Sequence, residues 1–173
     1  MHKRDDIVMH LFSSSRLYFR EITPDDAEAM YELNLDPLIE KYTLDPPFES
    51  VEAAGEFWKN YDQYKKYGMG RWAVVLKSTN EVIGWCGLRK KTTYVDVGFR
   101  LIPRYRGKGY ATEAGIASIQ YGFENLGLTE IIGSAMKTNI ASTKVLEKCG
   151  MTFLEEIDRD EYIEVRYCIS KTN

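Results

Sequence analysis

The spacing of apolar and polar positions changes several times along the chain, and each change marks an element. Leu17, Phe19 and Ile22 mark a first strand. Thr23-Pro24-Asp25-Asp26 then offers a capping residue, a proline at the first helical position and acids in the first turn. This predicts a helix to about Asn34 that presents Ala27, Met30, Tyr31 and Leu33. Asp45-Pro46-Pro47 forces an extended break. Ser50 can cap a second helix running toward Tyr67, where Phe57, Trp58, Tyr61 and Tyr64 follow helical spacing and read as packing residues. Gly68 and Gly70 end it.

The period then shortens. Arg71 to Lys77 and Val82 to Arg89 are apolar and β-rich, separated by a turn of hairpin length. Val95 to Leu101 is a third strand, stopped by Pro103. From Tyr110, apolar positions at Ile116, Ile119, Phe123 and Leu126 restore helical spacing. A strand over Glu130 to Ala135 and a helix over Ile140 to Lys148 follow, with Gly150 as its C-terminal cap. Phe153 to Glu156 and Tyr162 to Ser170 close the chain as strands. The expected architecture is α/β (α+β): a mixed, mostly antiparallel central sheet of about seven strands flanked by about four helices.

Composition changes this picture little. The 173 residues suit a single domain over 16–173 behind an N-terminal tail over 1–15. With 26 acidic and 23 basic side chains the formal charge is -3, too balanced for a general nucleic-acid binder. No apolar run reaches membrane-spanning length, and Ile7 to Phe12 is too short for a signal-peptide core. The expected location is therefore the cytoplasm. His2 and His10 are the only histidines and both fall in the tail. That excludes Ser-His-Asp and Cys-His catalysis and His-ligated zinc, so no metal is expected. Cys86, Cys149 and Cys168 are scattered, odd in number and without a C-x-x-C pair, which suits buried thiols in a reducing compartment.

The chemistry concentrates between the third strand and the next helix, in Arg104-Tyr105-Arg106-Gly107-Lys108-Gly109-Tyr110-Ala111. Glycines at 107 and 109 let peptide N–H groups approach a ligand closely, and the helix start adds unpaired amides at the positive end of its dipole. Arg100, Arg104, Arg106 and Lys108 add four cations to a stretch without an acid. A phosphate or pyrophosphate is the expected guest; the alternative is a tight turn beneath a solvated basic face. There is no G-x-x-x-x-G-K-[ST], and Thr112 stands where a dinucleotide fingerprint needs its third small residue.

Arg104-x-x-Gly107-x-Gly109 follows Asp96-Val97-Gly98-Phe99-Arg100-Leu101 and precedes Asn139-x-x-Ser142 and Leu146-Glu147-Lys148-Cys149-Gly150-Met151. This combination resembles the GNAT superfamily of acetyl-CoA-dependent N-acetyltransferases. Leu17-Tyr18-Phe19-Arg20-Glu21-Ile22 and Gly107-Lys108-Gly109-Tyr110-Ala111-Thr112-Glu113-Ala114 resemble its RimJ/RimL branch, which acetylates ribosomal-protein N-termini. The resemblance spans about residues 16 to 170. It implies the GNAT fold, with a sheet splayed at the acyl-CoA site. It also implies that the amides of Arg106, Gly107, Lys108, Gly109, Tyr110 and Ala111 hold the CoA pyrophosphate, that Phe99, Arg100 and Leu101 pair their backbone with the pantetheine arm, and that Asn139 hydrogen-bonds it. Asn139 reads equally as a plain helix N-cap.

The implied reaction is direct attack of a neutral amine on the thioester. Asp96 is the first candidate base, directly or through a water; the alternative is a solvated strand residue. Many GNAT members carry a tyrosine four residues before the glycine equivalent to Gly150, but Leu146 stands there. Ser142 is the nearest hydroxyl for the leaving thiolate, with helix-start hydrogen bonding as its other reading. The acids of 155–164, with Glu155, Glu156 and Asp158 among them, read as a solvated hairpin tip or as a field for a cationic amine. The expected partners are acetyl-CoA, as co-substrate, and an amine acceptor, either a peptide N-terminus or a small amine such as a polyamine or antibiotic. Neither nucleic acid nor membrane is expected, and a homodimer stays open. The competing reading outside enzymes is a CoA-binding sensor without catalysis.

Overall fold

A computed structural model describes residues 9–172 of the chain. The apolar positions Leu17 and Phe19 are fully buried and build β2 (Leu17–Arg20). Before it, β1 (Phe12–Ser13) pairs antiparallel with β2. This stretch was expected as tail, yet Phe12 stacks on Phe19 and Tyr121, both at 4.4 Å, and meets Trp72 edge-on at 5.1 Å. A two-residue strand leaves no periodicity to read. His10 stacks on Tyr18, while His2 lies outside the described residues.

A 3-10 turn over Pro24–Asp26 leads into α1 (Ala27–Asn34). There the Thr23 amide donates to the Asp26 carboxylate, which also holds Arg20 at 2.7 Å. α2 (Pro37–Thr43) was not expected. Its signal repeats the one at residues 23–26: Asp36 accepts from the Leu38 amide and Pro37 opens the helix. The helix expected from Ser50 to Tyr67 is two, α3 (Val51–Lys59) and α4 (Gln63–Tyr67). Asn60 separates them, because its side-chain amide bonds back to Glu56 and ends α3.

The remaining elements are β3 (Arg71–Leu76), β4 (Glu81–Lys90), β5 (Val95–Leu101), α5 (Tyr110–Asn125), β6 (Glu130–Met136), α6 (Ile140–Lys148), β7 (Thr152–Asp158) and β8 (Ile163–Ser170). They form one sheet in the order β1-β2-β3-β4-β5-β6-β8-β7. The mixed, mostly antiparallel sheet expected from the sequence is present, with eight strands rather than about seven and six α-helices rather than about four among the described residues.

Side-chain alternation along β4 assigns the two faces of the sheet. Cys86 and Leu88 face α5, where Cys86 meets Ser118 and Leu88 crowds Gly122. Trp85 and Arg89 face the side covered by α1 and α3. The single parallel neighbour pair, β5 with β6, is joined by only two register pairs, Asp96↔Ile132 and Val97↔Gly133. Beyond them the two strands part, and the opening lies beside the N-terminus of α5.

Candidate active site

Three parts of the fold meet at this opening: the free edge of β5, the glycine turn leading to α5, and a cavity on the α1/α3 face. The free edge follows from strand pairing. The Ile102 amide donates to the Ile83 carbonyl, and the β4–β5 register runs unbroken from Gly84↔Leu101 to Lys90↔Val95. Alternation then turns the N–H groups of Leu101 and Phe99 away from β4 and toward the gap. The Leu101 carbonyl is taken by the Arg106 Nε at 3.0 Å, whereas the Phe99 carbonyl faces the gap beside its own N–H.

The turn has the glycine conformations its sequence implies. Gly107 and Gly109 sit at φ 72 and 81, and Gly109 is the N-cap of the 16-residue α5. No atom lies within 4 Å of a Cβ built on Gly107, so the turn is open on that side. Amides of residues 107–111 and the positive end of α5 suit a pyrophosphate against that open side.

The cations around the turn have other duties. Arg100 pairs with Asp45, Arg104 with Glu32, and Arg106 with Asp36 at 2.5 Å. The basic cluster read from the sequence as a phosphate field is therefore largely neutralised by acids from α1, the N-cap of α2 and the loop after α2. Lys108 keeps an exposed side chain without an ion pair among the described residues. The cation that lies beside the turn is Arg16, which sequence reasoning missed. It pairs with Glu113 at 2.7 Å, donates to the Lys108 carbonyl at 3.0 Å and lies over the Tyr110 ring at 4.3 Å. Glu113 also accepts from the Ser14 hydroxyl and the Arg16 amide, each at 2.7 Å. Burial works to raise the Glu113 carboxyl, but these bonds outweigh it and hold the group below the ordinary glutamate range.

On the opposite face, a cavity of about 840 Å³ runs from Asn34, Asp45 and Arg100 to Lys91, Tyr94 and Glu164. Asp96 lies in its wall and is buried, which removes the reading of a solvated strand residue. Its Oδ2 accepts from Arg71 at 2.5 Å, whereas its Oδ1 has no hydrogen bond and stands 3.6 Å from the Arg89 Nε. Arg71 crosses the sheet over Gly87 and Gly98, donating to the carbonyls of Gly87 and Asp96 on the way. Trp85 lies between Arg71 and Arg100, each 5.2 Å from its ring. None of Arg71, Trp85 and Arg89 stood out in the sequence, because their meeting depends on strand register.

Asn139 caps α6: its Oδ1 accepts from the Ser142 amide at 3.2 Å. Its Nδ2 makes no hydrogen bond among the described residues and stays available as a donor. The two readings of Asn139 are thus compatible, one for each atom of its amide. Ser142 is half-buried, and Leu146 is core, packed over Gly133 where β5 and β6 part. The acidic hairpin borders the cavity through Tyr162 and Glu164 only. Glu155 pairs with Arg166, Glu156 with Lys137 and Glu164 with Arg159 and Arg166, so half of the six acids read there as an anionic field are neutralised in space.

Residues 16–152 match the family model described as an acetyltransferase (GNAT) domain. The FsC-acetyl coenzyme A-N(2)-transacetylase of Aspergillus fumigatus is 30% identical over 91% of this chain and 75% of its own length. The uncharacterized N-acetyltransferase YnaD of Bacillus subtilis is 33% identical over 83% of this chain and 82% of its own. Among solved structures, a GNAT-family acetyltransferase from Bacillus anthracis superposes with a TM-score of 0.80 at 28% identity, covering 94% of this chain and 98% of that one. RimL, a ribosomal L7/L12 α-N-protein acetyltransferase, shares the fold with a TM-score of 0.83 at 14% identity, over 99% of both chains.

Proposed function

The chain belongs to the GNAT acetyltransferase family, whose members are acetyl-CoA-dependent N-acetyltransferases, and from that premise we propose that it acetylates a peptide or protein N-terminal α-amine, as the RimJ/RimL branch does. The observation that carries the reading is the parting of β5 from β6 beside the glycine turn of α5, with a cavity on the far side for an acceptor.

Acetyl-CoA, when bound, supplies an activated acetyl thioester. The Arg106 amide, expected among the phosphate donors, is taken by the Pro103 carbonyl at 3.1 Å, so the amides from Gly107 to Ala111 would hold the pyrophosphate, and the Phe99 and Leu101 N–H groups would pair with the pantetheine arm and polarise the carbonyl under attack. The Asn139 Nδ2 would add a donor from α6. The acceptor must arrive neutral, and an α-amine with a pKa of about 7.7–8.0 is roughly a tenth neutral at pH 7, against below about a thousandth for a lysine near 10.4. Asp96 is the candidate base, but its Oδ2 holds Arg71 and its Oδ1 is shielded from solvent, so a water must first move in before it can take a proton. So modest a base suits an α-amine better than a lysine. With Leu146 in place of the tyrosine, Ser142 is the nearest hydroxyl; being a poor acid, it would relay to the thiolate the proton that the amine gives up, or the thiolate leaves unprotonated.

A small-molecule acceptor is the second reading. One observation favours it: the Aspergillus fumigatus relative is named for N(2)-transacetylation of FsC. Both readings are tested by free-thiol release from acetyl-CoA with a panel of peptides, polyamines and amino compounds, the products being identified by mass spectrometry. Acetylated peptide N-termini are expected. Turnover of small amines alone would establish the second reading, and no amine-dependent thiol release would overturn both.

A further inference from the structure

The cavity wall holds four cations and four acids, but three of the cations lie around Asp96. Arg71, Arg89 and Lys91 converge there. Asp96 answers Arg71 directly, but its distance of 3.6 Å from the Arg89 Nε is too long for a hydrogen bond. That Nε is buried and has no hydrogen-bond partner among the described residues. Lys91 forms no ion pair among the described residues and is half-buried. Burial pushes its ammonium group down and Arg89 and Arg71 push it further, partly offset by Asp96 and, least, by Glu164. The next acid, Glu164, is held by Arg159 at 2.9 Å and by Arg166 at 2.6 Å. Arg71, Arg89 and Lys91 thus share one carboxylate that is hydrogen-bonded to Arg71 alone, and such an Arg–Lys pair in a cavity wall is suited to a further anionic guest.

Coenzyme A is not that guest. Its phosphates belong at residues 107–111, beyond the far end of β5, whereas Arg89 pairs with Asp96 near the start of that strand. At a strand rise of about 3.3 Å per residue, five residues of β5 separate Asp96 from Leu101 by roughly 17 Å. The acceptor is better placed. Asp96 lies two residues before Gly98, where β5 leaves β6, so an anion at Arg89 would sit about 7 Å from the opening. In a peptide, an acidic side chain at the second residue, or the carboxylate of a dipeptide, lies at about that distance from the α-amine.

We propose that the acceptor is an α-amine carrying a carboxylate one residue further along, and that Arg89 and Lys91 bind this carboxylate while the amine points into the gap between β5 and β6. The inference rests on the α-amine reading above and narrows it. Glu49, a lining acid without an ion pair among the described residues, stands in the α2–α3 loop and leaves a negative charge elsewhere on the cavity wall for the incoming ammonium group.

The test uses the full chain with acetyl-CoA and five peptides: Ala-Glu-Ala amide, Ala-Gln-Ala amide, Ala-Lys-Ala amide, Ala-Ala acid and Ala-Ala amide. The parent protein is expected to favour each acid over its matched amide by about tenfold in kcat/KM. Arg89→Gln and Lys91→Met should each reduce that ratio to below about threefold, chiefly through KM. The Glu peptide and the dipeptide acid distinguish a side-chain carboxylate from a terminal one. Equal or better turnover of the Gln or Lys peptide by the parent would overturn the inference and leave acetyl transfer standing. Should no amine be acetylated, the functional reading fails, and calorimetric titration of the CoA-loaded protein decides the anion site. Saturable binding of the Glu peptide by the parent but not by Arg89→Gln upholds the site; absence of binding ends it.

Discussion

Gly98 and Arg71 occupy one space: a Cβ on Gly98 would lie 2.8 Å from the guanidinium carbon of Arg71. The guanidinium cannot retreat freely, because it is bonded to Gly87, to the Asp96 carbonyl and to the Asp96 carboxylate. Gly98→Ala should therefore loosen the Arg71–Asp96 pair and lower stability by about 1–3 kcal/mol. Arg71→Met leaves a buried carboxylate uncompensated and should cost about 3–5 kcal/mol. Adding Asp96→Asn to Arg71→Met should recover part of that loss, since the orphan charge is gone. Urea unfolding of the single and double variants checks all three values, and a double variant less stable than Arg71→Met contradicts the pairing.

Arg16 and Glu113 fasten the glycine turn to the start of β2. Glu113→Gln keeps the shape but weakens three charge-assisted bonds, so a stability loss of about 1–2 kcal/mol is expected, together with weaker acetyl-CoA binding. The pH dependence has a definite sign. A carboxyl held below its unfolded value stabilises the fold at pH values above that ordinary value, about 4.3, and the contribution disappears as pH falls through the lowered folded value. Acid titration of stability should thus show a smaller loss in Glu113→Gln than in the parent over that window. Identical acid limbs would remove Glu113 from the tether.

Asn139 allows its two duties to be separated by substitution. Asn139→Asp keeps an oxygen for the Ser142 amide but has no donor, so α6 should stay capped while acetyl-CoA binding weakens several-fold. Asn139→Ala should lose both, with about 1 kcal/mol of stability. Melting temperature and acetyl-CoA affinity, measured on both variants, check the separation. If Asn139→Asp binds acetyl-CoA as tightly as the parent, Asn139 is a cap alone.

These residues also show how far the sequence can be read. The strands and α5 were legible because their apolar spacing is regular, and the glycine turn because Gly107 and Gly109 stand between a strand and a helix. α2 went unread although Asp36-Pro37 marks it, and β1 is too short to carry a period. The ion pairs were hidden for a different reason. Arg100, Arg104 and Arg106 look like a free cationic patch along the chain, but their partners Asp45, Glu32 and Asp36 lie more than fifty residues earlier. Local charge is visible in sequence, whereas neutralisation across the fold is not. Arg71, Arg89 and Asp96 meet only because β3, β4 and β5 align in one register.

The same distinction settles what the acidic hairpin should do. Glu155 and Glu156 pair with Arg166 at 3.3 Å and Lys137 at 2.7 Å, and neither lines the cavity. Exposed charges act weakly beyond about 8–10 Å at ordinary ionic strength. Glu155→Gln with Glu156→Gln should therefore leave KM for the amine within about twofold of the parent and change stability by less than about 1 kcal/mol per pair. Glu164 differs, since it lines the cavity and holds both Arg159 and Arg166. Glu164→Gln frees two guanidinium groups beside the acceptor, which should lower KM for a carboxylate-bearing amine relative to its matched amide. Steady-state kinetics with the matched acid and amide peptides check both expectations. A several-fold rise in KM on neutralising Glu155 and Glu156 would instead show that the hairpin attracts the amine as a whole.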